Sequence, residues 1–298
     1  MSTYNGKIYV EEQIQSILNQ KGVECHLLIR DDGSKDGTTA FVRDVSSRFP
    51  NGVVAVLDGE NVGVFDSFTE LVKYAANKFN DYDYYAFSDQ DDIWLSNKVL
   101  SAIDILSAKP NNKPLVYCSN STLIDNNRRK IKNLWGDNEA QVTKERILFV
   151  NYAQGCTMVF NKIALDFYNR KAFHLGKLHD YMMALIGVYY GEIVYDENSY
   201  LLYRQHENNV IGGNKKRYSY FQMIRNLLTF RSRKDEFCRG ILDNLKDLCK
   251  EDQRQIEIIA NYKKNILSRM RLLIHRPLYY KSFGENLLLG VRVLLGTF

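Results

Sequence analysis

Apolar positions along the first 120 residues switch repeatedly between two spacings. Residues 7–20 (KIYVEEQIQSILNQ) set Ile8, Ile14, Ile17 and Leu18, with Glu12 on the same stripe, at helical spacing and predict an amphipathic helix. Residues 24–30 (ECHLLIR) are a short apolar run that stops at Asp31-Asp32-Gly33-Ser34. Residues 36–49 read as a helix, 53–57 as a β-branched strand before a glycine turn at 59–63, and 65–79 as a second helix. Residues 82–88 (YDYYAFS) form an aromatic strand that runs straight into Asp89-Gln90-Asp91-Asp92. Strand, polar turn and helix, three times over, predict an α/β fold with a mostly parallel sheet flanked by helices. In such sheets ligands sit at the carboxyl ends of the strands, so the three turns are expected to converge on one edge.

The front of the chain breaks this pattern. Ser2-Thr3-Tyr4-Asn5-Gly6 has the composition of a strand-end loop, yet no strand precedes it. The expectation is a start lying upstream of Met1; a sheet without a central strand is the alternative. Beyond residue 115 the pattern is mixed, with strands at 115–118 and 155–161, a polar stretch to 138, a helix at 178–190 and extended chain at 193–203. A glycine break at 212–214 separates a body, 1–214, from amphipathic helices over 215–298.

Composition sharpens this division. Residues 215–298 carry 18 Lys+Arg against 8 Asp+Glu, whereas 1–214 are net acidic. Within 261–298, seven basic residues and one acid are interleaved with leucines and aromatics, including Arg269, Arg271, Arg276 and Arg292. Such a surface suits an anionic membrane; a helical bundle or a homodimer interface uses the same leucines. No recognition motif accompanies the charge, so nucleic acid is not an expected partner. Five cysteines, odd in number and without a CxxC pair, indicate neither a disulfide framework nor a thiolate zinc site and fit a reducing compartment. There is no apolar signal core at the start and no run of roughly 18 apolar residues, so a cytoplasmic protein is expected, peripheral at the inner face of the cell membrane.

The acidic cluster carries the most chemistry. Three carboxylates within four residues repel one another unless solvated or neutralised, and such oxygen ligands suit Mg²⁺ or Mn²⁺ bridged to phosphates. The competing reading is a helix start before Ile93-Trp94-Leu95, with Asp91 or Asp92 as cap. The pair Asp31-Asp32 can accept from a base N–H or a sugar hydroxyl, or can simply form an Asx turn. Asn61 and Gly63 form a glycine turn that lets a ligand approach backbone. Asp180, after His179 and before an apolar helical run, is either a helix cap or a general base. His206 beside Arg204 is a pairing suited to a diphosphate and its metal.

Taken in order, Ser2-Thr3-Tyr4-Asn5-Gly6, Asp31-Asp32-Gly33-Ser34, Asn61-Val62-Gly63, Asp89-Gln90-Asp91-Asp92-Ile93-Trp94, His179-Asp180 and Tyr203-Arg204-Gln205-His206 resemble glycosyltransferase family 2. Within it, the set resembles the bacterial rhamnosyltransferase-like branch that builds surface polysaccharides. The resemblance covers roughly residues 1–214. It implies a GT-A fold, a divalent metal (Mg²⁺ or Mn²⁺) and inversion at the anomeric centre, with a dTDP- or UDP-sugar donor and a polysaccharide or lipid-linked acceptor. By position it implies that Thr3, Tyr4, Asn5, Asp32, Asn61, Gly63 and Asp89 bind the nucleotide and that Asp91 and His206 hold the metal. Arg204 would meet the diphosphate, Asp180 would be the catalytic base, and Trp94 and His179 would lie on the acceptor side. A non-catalytic assembly subunit and a sugar nucleotidyltransferase are the rival readings; the second would show a glycine- and lysine-rich phosphate loop near the N-terminus, which is absent.

Overall fold

The computed structural model describes residues 1–50, 52–137, 139–171, 173, 179–206, 233–275 and 283–298. The chain divides into two compact units, Met1–Val142 with Tyr152–Gly212, and Thr143–Asn151 with Gly213–Phe298. The glycine break at 212–214 and Arg276, on which sequence expectations rest, lie outside the described residues.

In the first unit, β1 (Ser2–Thr3), β2 (Leu27–Asp31) and β3 (Val54–Asp58) form a parallel three-stranded sheet in that order. Ser2 and Thr3 are thus not loop. They pair with Arg30 and Asp31, and the loop begins at Tyr4. Three helices connect and cover these strands: α1 (Val10–Leu18), α2 (Thr38–Ser47) and α3 (Val64–Lys78). Helix α1 buries Val10, Gln13, Ile14 and Ile17, whereas Ile8 precedes it and is 80% exposed, which removes Ile8 from the expected stripe.

A second sheet departs from the parallel pattern. Its strands are β4 (Tyr84–Ala86), β5 (Ile93–Trp94), β6 (Leu115–Ile124), β7 (Lys130–Asn133), β8 (Val159–Asn161) and β9 (Glu192–Arg204). Their order is β4-β8-β6-β9-β5, with β7 on β6. Among these pairs β6–β9 is parallel and the rest are antiparallel. Strand β6 continues past the expected end at 118 because its polar residues are satisfied internally. Ser121 Oγ donates to Gln154 Oε1 (2.8 Å), Asn120 Nδ2 to the Trp135 carbonyl (2.9 Å) and Thr122 Oγ1 to Ser199 Oγ (2.9 Å). Helix α4 (Lys98–Ser107) begins five residues later than the apolar run after Asp92 suggests, because Ile93 and Trp94 pair with Leu202 and Leu201 of β9. Asp92 therefore caps no helix.

The remaining helices are α5 (Lys144–Ile147), α6 (Lys162–Lys171), α7 (His179–Tyr190), α8 (Lys234–Asn244), α9 (Lys250–Ala260), α10 (Ile266–His275) and α11 (Phe283–Leu295). Helix α5 belongs to the second unit, where Lys144 Nζ pairs with Asp252 (2.8 Å) and Phe149 stacks on Phe298. There α10 and α11 leave Ile266, Leu267, Ile274 and Leu287 more than half exposed. Among the described residues, no helix is long and apolar enough to cross a membrane.

Candidate active site

The loops at the ends of β1 and β2 are fastened to each other before any ligand is considered. Asp31 is the hub: Thr3 Oγ1 and Ser34 Oγ donate to Oδ1, while Thr39 Oγ1 and the Ser34 N–H donate to Oδ2. Burial alone would push the Asp31 carboxyl up, but these donors outweigh it and hold the group below its usual range. Thr3, 1% exposed, is consumed by this network and is closed off from solvent. Asn5 adopts the left-handed region (φ 48°), donates from its N–H to Ser34 Oγ and accepts at Oδ1 from the Lys35 N–H. Tyr4 is 47% exposed, and its main chain is gripped on both sides by Gln90. The Tyr4 N–H donates to Oε1 (2.9 Å) and Nε2 donates to the Tyr4 carbonyl (3.0 Å). Gly6 is needed beneath this clamp, since a Cβ there would lie 2.0 Å from Gln90 Oε1.

Asp32 does the same for the loop after β3. Its Oδ1 accepts from Arg30 (2.5 Å) and from the Val62 N–H (3.0 Å), and its Oδ2 accepts from the Gly63 N–H (3.0 Å). The carboxylate is 3% exposed. Asn61 and Val62 are exposed at the rim, and Gly63 (φ 85°) makes the turn into α3.

The acidic cluster follows β4, level with these loops. Asp91 Oδ2 lies 2.7 Å from His206 Nε2, and the imidazole stacks on Tyr9 with ring centroids 5.1 Å apart. The Asp91 side chain keeps 17% exposure and that of His206 12%, so both stay open to solvent. Arg204 is placed differently from expectation. Its Nε donates to the Asp91 carbonyl (3.1 Å), its Nη2 to Glu12 Oε2 (2.6 Å) and its backbone N–H to Asp92 Oδ1 (3.3 Å). With its side chain 4% exposed, it braces the acidic loop from behind instead of offering a guanidinium to a diphosphate.

Buried carboxyls crowd together here. Burial, then Asp91 and Asp180, pushes the Asp89 carboxyl up to about 7. Burial, then Asp91 and Asp89, pushes Asp92 well above the carboxylate range, and its Oδ2 has no hydrogen-bond partner among the described residues. Atoms of Asp89, Asp92 and Cys156 lie within 4.8 Å of one another. A thiolate site is nevertheless a poor reading, because burial and then the two carboxylates push the Cys156 thiol far up and keep it protonated. The oxygen and imidazole donors of Asp91 and His206, beside carboxyls held up by burial and by one another, fit a hard divalent cation.

Asp180 enters from the first turn of α7. The Gly155 N–H donates to Oδ2 (3.1 Å), while Oδ1 has no partner among the described residues. Burial raises this carboxyl to about 6 against the opposing backbone donors. Gly155 is required by close packing, since a Cβ would meet His179 Nε2 at 2.7 Å. His179 itself is not on an acceptor face. Its ring stacks on Phe68 at 3.5 Å, and burial holds its pKa down at about 3, so it is a neutral core residue. Trp94 is likewise corrected: it is 6% exposed in the apolar core, with Lys98 Nζ 3.7 Å from its ring centroid.

Sequence reasoning missed Gln90, Glu12, Gly155 and Lys98. Gln90 sat in full view inside the acidic motif, but its role is a long-range pairing that no local pattern encodes. Glu12 was placed on an apolar stripe, although a charged residue there is itself a signal of a buried partner.

Comparison with known proteins bears on the family and the fold. A sequence model described as glycosyl transferase family 2 matches residues 1–167. The chain is 34% identical over 240 residues to the dTDP-rhamnosyl transferase RfbG of Shigella flexneri, covering 76% of this chain and 79% of that protein. It is 31% identical over 128 residues to the UDP-Glc:alpha-D-GlcNAc-diphosphoundecaprenol beta-1,3-glucosyltransferase WfgD of Escherichia coli, covering 43% and 46%. Among solved structures, S. aureus TarS 1–349 in complex with UDP aligns with a TM-score of 0.55 at 17% identity, over 93% of this chain and 74% of that one. The mannosyltransferase PcManGT from Pyrobaculum calidifontis, in complex with GDP-Man and Mn²⁺, aligns at 0.51 and 14% identity, over 99% and 84%. At these identities the two structures speak to the fold alone.

Proposed function

The chain belongs to glycosyl transferase family 2 and is a glycosyltransferase, and from that premise we propose that it moves a deoxyhexose with inversion from a dTDP- or UDP-sugar to a glycan or lipid-linked acceptor. The observation that carries this reading is Asp180: one carboxylate oxygen is held by the Gly155 N–H, the other is unpartnered, and its charge helps hold the Asp89 carboxyl up. Tyr4, Asn5, Asn61 and Gly63 line the nucleotide side. Asp32 orders that side and retains a lone pair on Oδ2 for a base N–H. Asp89 faces the ribose or sugar.

Asp91 and His206 are the residues that would hold Mg²⁺ or Mn²⁺, whose charge, when bound, offsets that of the departing diphosphate. Asp180 Oδ1 accepts the proton of the acceptor hydroxyl as its oxygen bonds to the anomeric carbon. The bond from that carbon to the diphosphate oxygen breaks on the opposite face, releasing a nucleoside diphosphate. A screen of dTDP- and UDP-sugars that follows nucleoside diphosphate release tests the reading. Asp91→Ala and Asp180→Asn should each abolish release while circular dichroism is unchanged; turnover near wild type in either variant refutes that residue's role. No nucleoside diphosphate release from any donor, with no metal-dependent binding of dTDP, would favour the assembly-subunit reading.

The acceptor side of the proposal draws on the second unit. Leu267, Ile274 and Leu287 are exposed on helices that also carry Arg269, Arg271 and Arg292. This combination suits the headgroup region of an anionic bilayer, where a lipid-linked acceptor resides. Cosedimentation with phosphatidylglycerol vesicles, weakened by salt and lost in Leu267→Glu/Ile274→Glu, is expected; equal binding to phosphatidylcholine in high salt would count against it.

A further inference from the structure

His206 follows the end of β9, where the strand no longer dictates how a side chain is turned. The main chain is held as far as Gln205, whose N–H donates to the Ile124 carbonyl (2.9 Å). A backbone bond does not fix the plane of the next imidazole, because its outer torsion has a broad, shallow preference.

Tyr9 supplies that plane. The Tyr9 and His206 rings lie 13° from parallel with centroids 5.1 Å apart, an offset stack. The guanidinium carbon of Arg204 is 5.2 Å from the centroid of the same Tyr9 ring. Tyr9 is fastened in its turn: its N–H donates to the Gly6 carbonyl (2.9 Å) and its carbonyl accepts from the Gln13 N–H (3.3 Å). One turn on, Glu12 binds two arginines from distant segments. Its Oε2 accepts from Arg204 Nη2 (2.6 Å), and its Oε1 pairs with Nη2 of Arg128 (2.6 Å) in the turn between β6 and β7. The start of α1 is thereby tied to the end of β9 and to that turn.

In this plane the imidazole brings Nε2 to 2.7 Å from Asp91 Oδ2. A ring without such a platform would lose its torsional freedom when a cation bound, and affinity would fall accordingly. Coordination also draws electron density out of an imidazole, and the face of a phenol ring favours a partner of positive character. The stack is therefore stronger with the cation bound than without it, which is the condition for it to raise affinity.

We propose that Tyr9 is a positioning residue for the cation site. It holds the His206 imidazole in the plane from which Nε2 and Asp91 take a divalent cation, while Glu12, through Arg204, keeps α1 and the end of β9 in register. The proposal rests on the assignment of His206 to the cation. A phenol that merely filled space would be replaceable by any apolar side chain of similar size.

The test uses the full chain, Tyr9→Phe, Tyr9→Leu and Tyr9→Met, with His206→Gln as reference, and Mn²⁺ alone as the probe. Free Mn²⁺ is followed by electron paramagnetic resonance. Tyr9→Phe should bind within about twofold of the unaltered chain, whereas Tyr9→Leu and Tyr9→Met should bind about tenfold more weakly. A second readout needs no metal. The ring-proton signals of His206, identified by their loss in His206→Gln, should be shifted upfield by the Tyr9 ring current. They should stay in place in Tyr9→Phe and move downfield in Tyr9→Leu and Tyr9→Met. The two apolar variants are alternatives, so a folding defect in one, seen as collapse of the other histidine signals, leaves the other to decide. Ring protons that do not move, or Mn²⁺ affinity retained in a folded apolar variant, overturns the proposal. Mn²⁺ binding that is unaltered in His206→Gln overturns the assignment of His206 to the cation, and the effect on affinity proposed here falls with it.

Discussion

The pH dependence of transfer is the sharpest consequence of where Asp180 sits. Its carboxyl is 6% exposed and raised from 3.8 to about 6, chiefly by burial. A general base acts only when ionised, so at pH 5 about one-tenth of the enzyme should be competent, whereas an ordinary aspartate would remain more than about nine-tenths ionised. The logarithm of kcat/KM should therefore fall with unit slope below about pH 6, with an activity loss of roughly tenfold between pH 8 and pH 5. The same rise has a stability side. A folded-state pKa above the unfolded one favours the protonated form, so this contribution is fully present below about 3.8 and is lost as pH rises through about 6. At pH 7 the ionised group costs about 3 kcal/mol relative to its protonated form. Asp180→Asn keeps an acceptor for the Gly155 N–H and removes that charge, so it should lose activity about 10³-fold yet unfold at higher urea, by roughly 1–3 kcal/mol. Steady-state kinetics from pH 4.5 to 8.5, with folding checked at each pH, supply the data. A plateau extending to pH 5, or a limb abolished by His206→Gln, would refute the assignment to Asp180.

Other expectations follow from individual contacts. Gly6→Ala drives a methyl into Gln90 and should break its two bonds to Tyr4, raising KM for the donor about tenfold at little change in kcat. Partial rescue by Gln90→Ala separates this effect from a folding defect. Asp32→Ala removes the buried partner of Arg30, which keeps Glu70 (Nε to Oε2 2.5 Å), and releases two N–H groups of the 61–63 loop; a loss of about 1–3 kcal/mol in urea unfolding is expected. Lys98 is fully buried, its Nζ has no hydrogen-bond partner among the described residues, and burial lowers its pKa to about 8. Lys98→Met should therefore stabilise at pH 7 by roughly 1–3 kcal/mol, a gain that shrinks as pH rises from 8 to 10.5.

The first half of the fold was legible because its strands and helices alternate with polar turns at the strand ends. Expected strands at 24–30, 53–57 and 82–88 correspond to β2, β3 and β4, and the helices between them fall within a few residues of their observed bounds. The order of the second sheet was not legible, although the strands expected at 115–118, 155–161 and 193–203 fall on β6, β8 and β9. That order depends on long-range pairings such as Ile93 with Leu202, and Ser119–Thr122 looks like loop until its polar side chains find partners. At the site, residue types named the loops but not the direction of each side chain. Thr3, Trp94 and His179 carry motif positions yet point into the interior, and Arg204 points behind the acidic loop. Periodicity reports which residues are apolar; it does not report which polar residue a distant strand will bury.

One consequence of the Gln90 clamp concerns cooperativity. Gln90 lies between Asp89 and Asp91, and its amide grips the main chain of Tyr4. A nucleotide that settles Tyr4 thereby also settles the two acids on either side of Gln90, and a cation that orders those acids presents a prepared Tyr4. Donor and cation should thus raise each other's affinity by the same factor, as linkage requires of any two ligands sharing one ordered element. Titrating dTDP with and without Mn²⁺ and Mn²⁺ with and without dTDP should return equal ratios, and Gln90→Ala should bring both ratios toward one.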